Sequence, residues 1–359
     1  MSGLRRVLLL MCAGLALLTA ACSQVHISPH EKEAIVRLGK FNSRDQAPIP
    51  VETIAGYYVP YALLSVRSYG DDKSGGERWD KLLNAVDKDG RPLRAKVLAW
   101  FSEWADLGHG DFADDYLPCS QKRIDEGRCN IKVPGIAYQV WAKKNCSEIV
   151  VSFRGTNFSE VNDWITNFHW FTRLLPVYDQ YEQVQDNVQN ILDVMKAHCR
   201  GRKSITLTAV GHSLGGGLAQ QLAYGTAEIT RVYAFDPSMV TGYYDLDIEH
   251  RNPGDTLEID RVYEHGEILA YFRFFMRQFA PPSVCRPQIR NIRFDLLHGS
   301  VIDQHSMDGI SAKLVEIAGS PEDWRKRRGK YVLPKASDPD VEPNLCRAGA
   351  RADVSASGG

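Results

Sequence analysis

The sequence predicts an α/β fold, a mainly parallel sheet with helices on both faces. Three observations predict it. Short β-rich runs alternate with stretches of helical apolar spacing between about 149 and 317. The run Ile149–Phe153 is apolar enough to be a strand buried on both sides. A Gly-x-Ser-x-Gly segment, 211–215, sits between one predicted strand and one predicted helix. Strands separated by helices favour parallel pairing with helical cover on each face.

The composition allows such a domain. The 359 residues are 44% hydrophobic and 24% charged, which is ordinary for globular chains. The formal net charge of −1 gives no electrostatic reason to expect nucleic acid as a partner. Seven tryptophans and 15 tyrosines suit a large core with apolar clefts.

The first residues stand apart. Arg5 and Arg6 precede an apolar run from Val7 to Leu18, then the small residues Thr19-Ala20-Ala21 lead into Cys22. This is the pattern of an export signal over 1–21. The run is shorter than the roughly 20 residues of a spanning helix. Leu18–Cys22 resembles the lipobox of bacterial lipoproteins, with the leucine one place earlier than is commonest. The resemblance implies acylation of Cys22 and an exported chain held to the bacterial envelope, by expectation its outer membrane. A plain cleaved signal peptide is the alternative.

Cysteine parity bears on the same question. The eight cysteines are 12, 22, 119, 129, 146, 199, 285 and 346; loss of Cys12 and acylation of Cys22 leave six. An even set suits disulfides in an oxidising compartment. Cys119–Cys129 would close a short loop, and Cys285–Cys346 would tie down the tail. Cys146 and Cys199 each stand just before a predicted strand, so parallel neighbours would bring them to one sheet edge. No cysteine or histidine cluster has zinc spacing, so no metal is expected.

The elements follow in order. Residues 22–50 read as a tether or surface-hugging arm, 51–333 as one catalytic domain, and 334–359 as a tail too polar and proline-rich to fold. Val59–Tyr69 and Arg94–Leu107 read as helices, with loop chemistry at Asp71–Gly76 between them. Ile136–Trp141 and Glu148–Phe153 read as a hairpin. A helix over Tyr181–His198 carries Val184, Val188, Ile191, Leu192 and Met195 at a spacing near 3.6. Ile205–Val210, Arg231–Phe235 and Leu257–Tyr263 are strands, and Leu214–Tyr224 and Met307–Ile317 are helices.

Gly211-His212-Ser213-Leu214-Gly215 marks a nucleophile at a sharp strand-to-helix turn. Small flanking residues let neighbouring backbone pass, and the hydroxyl projects above the sheet. The bare pattern is weak, since glycine and serine are common. Its placement after an apolar strand, with Gly216 and Gly217 leading into a helix, makes it specific. Ile149–Phe153 ends in Arg154-Gly155-Thr156, a turn suited to one donor of an oxyanion hole; the N–H of Leu214 would be the other.

Together Ile149–Thr156, Asp163–Phe168, Val210–Ala219 and Arg231–Phe235 resemble the class 3 lipase family over about 136–310. The resemblance implies an α/β-hydrolase fold and hydrolysis of a lipid or other carboxylic ester, without metal or organic cofactor. Its chain order places the base near the end. Of ten histidines that leaves His298 and His305, and His305, directly before a helix, fits the pattern. His212, inside the turn, is expected to point away from the site. The acid follows a later strand: Glu267 matches the family's acid loop, with glutamate where aspartate is usual, and Asp236 is the alternative. The expected triad is therefore Ser213, Glu267 and His305, with Leu214 and Thr156 as oxyanion donors.

Two aromatic stretches, Phe168–Pro176 and Ile268–Phe279, read as an acyl-binding wall or lid, or as ordinary core. The chain departs from the family at Val177–Tyr181 and Ala270–Met276, so substrate preference does not carry over. A small-ester esterase and an inactive binding lipoprotein of the same fold stay open as alternatives.

Overall fold

Apolar residues on successive positions of a strand face opposite ways, so a strand such as Ile149-Val150-Val151 needs cover on both sides. A computed structural model shows how the chain supplies it. The structure describes residues 30–38, 48–70, 73–111, 136–155, 180–199, 201–202, 204–238, 241–242, 246, 252, 256–269 and 288–327.

The strands are β1 (Glu33–Leu38), β2 (Ile49–Pro50), β3 (Trp104–Asp111), β4 (Ala137–Lys143), β5 (Glu148–Phe153), β6 (Thr206–His212), β7 (Ile229–Phe235), β8 (Glu258–Glu264) and β9 (Gln288–Phe294). They form one sheet in the order β2-β1-β9-β8-β7-β6-β5-β4-β3. β5 to β9 are parallel neighbours. β3 and β4 extend one edge antiparallel, and β1 and β2 extend the other.

The helices are α1 (Ala55–Arg67), α2 (Lys73–Leu83), α3 (Arg94–Phe101), α4 (Gln180–Asp186), α5 (Val188–Lys196), α6 (Leu214–Gly225), α7 (Met307–Ala318) and α8 (Pro321–Arg327). Tyr58, Leu63, Ile310 and Leu314 of α1 and α7 pack with Val150, Val210 and Val262 on one face. Val184, Ile191, Leu218 and Leu222 of α4 to α6 pack with Val151, Ala209 and Val232 on the other. Val150 and Val151 thus serve different cores, as the pleat requires. The arrangement is the α/β-hydrolase fold.

Several expectations need correction. Glu33–Leu38 lies inside the predicted arm, yet it pairs with β9 from Ile35↔Arg293 to Leu38↔Arg290. Ala34 and Val36 are fully buried there, and a short apolar run in a polar stretch was enough to join the sheet. The helix expected over Arg94–Leu107 ends at Phe101, and Trp104 opens β3, whose pairing with β4 is bulged between Asp106 and Gly108. α2 begins at Lys73, inside the predicted loop. The helix over Tyr181–His198 is two helices broken at Asn187. Asn187 donates to the Gln183 carbonyl and accepts from Asn190, local bonds that compete with helix continuation.

Cys146 and Cys199 are joined by a disulfide with a Cα separation of 5.9 Å. β5 and β6 are parallel neighbours, with Glu148 opposite Thr206, so the two preceding cysteines meet at one edge. The bridge closes a loop of 53 residues, and replacing both cysteines by serine should cost about 2–4 kcal/mol of stability. Denaturant unfolding of the variant checks this; an unchanged midpoint would contradict it. Cys22, Cys119, Cys129, Cys285 and Cys346 lie outside the described residues. Among the described residues no helix is long and apolar enough to cross a membrane.

Candidate active site

The turn after β6 has the strain its sequence implies. Ser213 sits at φ 57° and ψ −123°, a left-handed conformation that serine avoids without cause. Its N–H donates to the Phe235 carbonyl at 2.9 Å, and its carbonyl accepts from the Ser238 N–H at 2.9 Å. The flanking glycines are needed for close approach. A Cβ on Gly211 would lie 2.2 Å from the Gly215 carbonyl oxygen, and one on Gly215 would lie 2.3 Å from that of Phe153. Helix α6 starts at Leu214, so the positive end of its dipole stands directly behind Ser213. Leu214 is the first helical residue, whose N–H has no acceptor within its own helix. Thr156, the other expected donor, lies outside the described residues, as does Phe168–Pro176 and all but the first two residues of Ile268–Phe279.

His305 closes a single 3-10 turn, Asp303–His305, ahead of α7. Ser306 caps that helix by accepting from the Gly309 N–H at 3.2 Å. Nδ1 of His305 and Oε2 of Glu267 are 2.8 Å apart, with the residues 4% and 0% exposed. The same carboxylate oxygen accepts from the Leu269 N–H at 2.8 Å. A further bond, from the Ile268 N–H to the Val301 carbonyl at 3.1 Å, ties the acid loop to the loop that carries the histidine. His298 is elsewhere: it is exposed, with Nε2 2.9 Å from Glu31 Oε1.

His212 does not point away. It is fully buried, its ring centroid is 4.7 Å from that of His305, and its Nδ1 is 2.7 Å from the Tyr69 hydroxyl. As the last residue of β6 it faces the α1 side of the sheet, where His305 descends. Burial, then the neighbouring His305 and Arg78, hold its pKa well below the ordinary value, so the ring is neutral. Burial pushes the Tyr69 phenol up to about 12, so the hydroxyl keeps its proton. Arg78 lies over the Tyr69 ring at 4.4 Å and pairs with Asp308 at 3.7 Å.

Asp236 is fully buried at φ 37°, and its Oδ1 accepts from the Glu264 N–H at 2.8 Å. Donor atoms of His212, Asp236 and His305 all lie within 4.8 Å of one another. Glu264, beside Asp236, is pushed up to about 8, chiefly by burial.

The residues that sequence reasoning missed are Tyr69 and His212. Nothing local marks Tyr69, which is 143 positions from its partner. His212 was in view, but its direction depends on which face α1 covers.

Residues 128–234 match the model of the phospholipase-like family, described as a Tle-like phospholipase domain, and the matched segment includes Ser213. No curated protein matches the chain. Among solved structures, lipase II from Rhizopus niveus is similar at 12% identity over 67% of this chain and 79% of that one, with a TM-score of 0.37. The native Rhizomucor miehei lipase–propeptide complex is similar at 15% identity over 78% and 81%, with a TM-score of 0.38. The chain has the α/β-hydrolase fold, with a segment similar to phospholipase domains built around its strained serine turn.

Proposed function

We propose that the protein is a serine-dependent carboxylic ester hydrolase of the class 3 lipase type, acting on a lipid or phospholipid ester. The observation that carries this reading is the buried Glu267–His305 pair, hydrogen-bonded at 2.8 Å, on the same sheet edge as the strained Ser213 turn. In the reaction, Ser213 Oγ attacks the ester carbonyl carbon while His305 takes its proton. The Leu214 N–H, with that of Thr156, receives the oxyanion. As the C–O bond breaks, His305 returns the proton to the departing alcohol. Water then attacks the acyl-enzyme, giving a proton to His305; as the bond to Ser213 Oγ breaks, His305 returns that proton to Oγ and the carboxylic acid leaves. Glu267 holds the tautomer with the proton on Nδ1 and stabilises the imidazolium. None of these steps uses a cofactor.

The N-terminal pattern adds a location. Export followed by acylation of Cys22 would hold the enzyme at an envelope membrane, beside lipid substrates.

A fluorophosphonate probe tests the nucleophile. The wild type should label and Ser213→Ala should not, with hydrolysis falling by about 10⁶-fold. Equal labelling of the two would overturn the assignment. Parallel assays on phospholipid, triacylglycerol and short-chain esters identify the substrate class.

A further inference from the structure

Asp236 has three properties that a turn residue before proline does not need together. It is fully buried, it is held at φ 37°, and its carboxylate oxygen lies within 4.8 Å of a nitrogen of each histidine. Glycine takes that backbone conformation without strain; aspartate takes it at a cost. Strain kept at a buried charged side chain calls for a role for the charge. The Glu264 N–H bond fixes Oδ1 and so sets the direction of the whole carboxylate.

We propose that Asp236 is a second carboxylate serving His305, a positioning residue that steadies the imidazolium alongside Glu267. The proposal rests on the reading of His305 as the general base. It differs from a simple exchange of acids, because Glu267 keeps the hydrogen bond to Nδ1 and Asp236 acts through its charge. The surroundings give that charge its effect. His212, from the end of β6, is neutral and so does not compensate it. Glu264, from the end of β8, is pushed up to about 8 and is mostly protonated at neutral pH, so it adds little negative charge of its own. Arg78 of α2 is paired with Asp308 of α7, and Tyr69, two residues past the end of α1, is an uncharged phenol. Among the described residues, Glu267 and Asp236 are then the anions placed closest to the ring.

The sign follows. A carboxylate near an imidazole favours its protonated form, so removing Asp236 lowers the pKa of His305. NMR titration of His305 in the full chain should show a fall of about one to two units in Asp236→Asn, at the scale expected for charges some 5 Å apart in a partly screened interior. Asp236→Gly should give the same fall and fold readily, since it also relieves the backbone. The acidic limb of kcat/KM should move to lower pH by the same amount in both. In activity, the residual kcat of Glu267→Ala should drop a further tenfold or more in Glu267→Ala/Asp236→Asn, while Asp236→Asn alone loses less than tenfold. An unmoved His305 titration in both single variants, or equal activity of Glu267→Ala and the double variant, overturns the proposal. The titration reads His305 whether or not the chain hydrolyses esters. Failure of the hydrolase reading is visible separately, as a wild type that neither cleaves esters nor takes the probe at Ser213.

Discussion

Glu267→Gln should lower kcat by about 10³-fold with little change in KM or in folding. The carboxylate accepts the Nδ1–H of His305 at 2.8 Å and is fully buried. A glutamine amide turned to donate there would place the ring proton on Nε2, the nitrogen that receives the serine proton in the proposed reaction. The base would then be present in the wrong tautomer. The side chains are nearly equal in size, so packing is kept and thermal unfolding should move little. Steady-state kinetics on one soluble ester, with a melting curve for each protein, checks this. A loss below tenfold would remove Glu267 from the triad.

The second large effect is structural. Gly211→Ala should lower stability by about 3 kcal/mol or more and abolish probe labelling at Ser213. Its Cβ would stand 2.2 Å from the Gly215 carbonyl oxygen and 2.8 Å from the Gly216 nitrogen, and both are backbone atoms at the start of α6. Neither can yield without moving the helix that follows the nucleophile. Gly225→Ala is the control. Its nearest neighbour would be a Val188 methyl at 3.4 Å, and alanine should stabilise the helix end by up to about 1 kcal/mol. Identical urea midpoints for Gly211→Ala and the wild type would contradict the close-approach account of the turn.

Much of the fold could be read from apolar spacing because the central parallel strands are buried on both faces. β5, β6 and β7 and the helix α6 lie within a few residues of their predicted limits. β9 could not be read in the same way. Gln288–Phe294 places Arg290 in the interior, where its Nε donates to Asp260 at 2.5 Å and its guanidinium also reaches Glu258. Tyr58 completes that buried group through a bond to Asp260 at 3.2 Å. A charge that is neutralised only by partners on β8 and α1 looks, in sequence, like a surface residue. β3 was hidden for another reason, since an edge strand with one bulge needs little apolar content.

The candidate site divides the same way. Ser213 is marked by local backbone needs, glycines and a helix start, and these are written in consecutive residues. His305 was placed by chain order and Glu267 by its match to the family's acid loop, and what joins them is a tertiary contact across 38 positions. The Tyr69–His212 bond has no sequence signal, because it requires α1 to end over the C-terminal edge of β6.

The direction of β1 has a consequence for how a tethered chain would stand. β1 runs antiparallel to β9, with Ile35 opposite Arg293 and Leu38 opposite Arg290, so the chain enters the sheet at the end where β9 finishes. β6 finishes at that end too, directly before Ser213. The contact between Glu31 and His298, in the loop leading to His305, belongs to the same rim. With Glu33 fixed in the sheet, the leash from Cys22 is 11 residues long and spans about 40 Å at full stretch. An anchor at Cys22 would therefore pull on the rim that carries Ser213 and His305, and the molecule would hang from its membrane with the reactive end uppermost and its opposite end free.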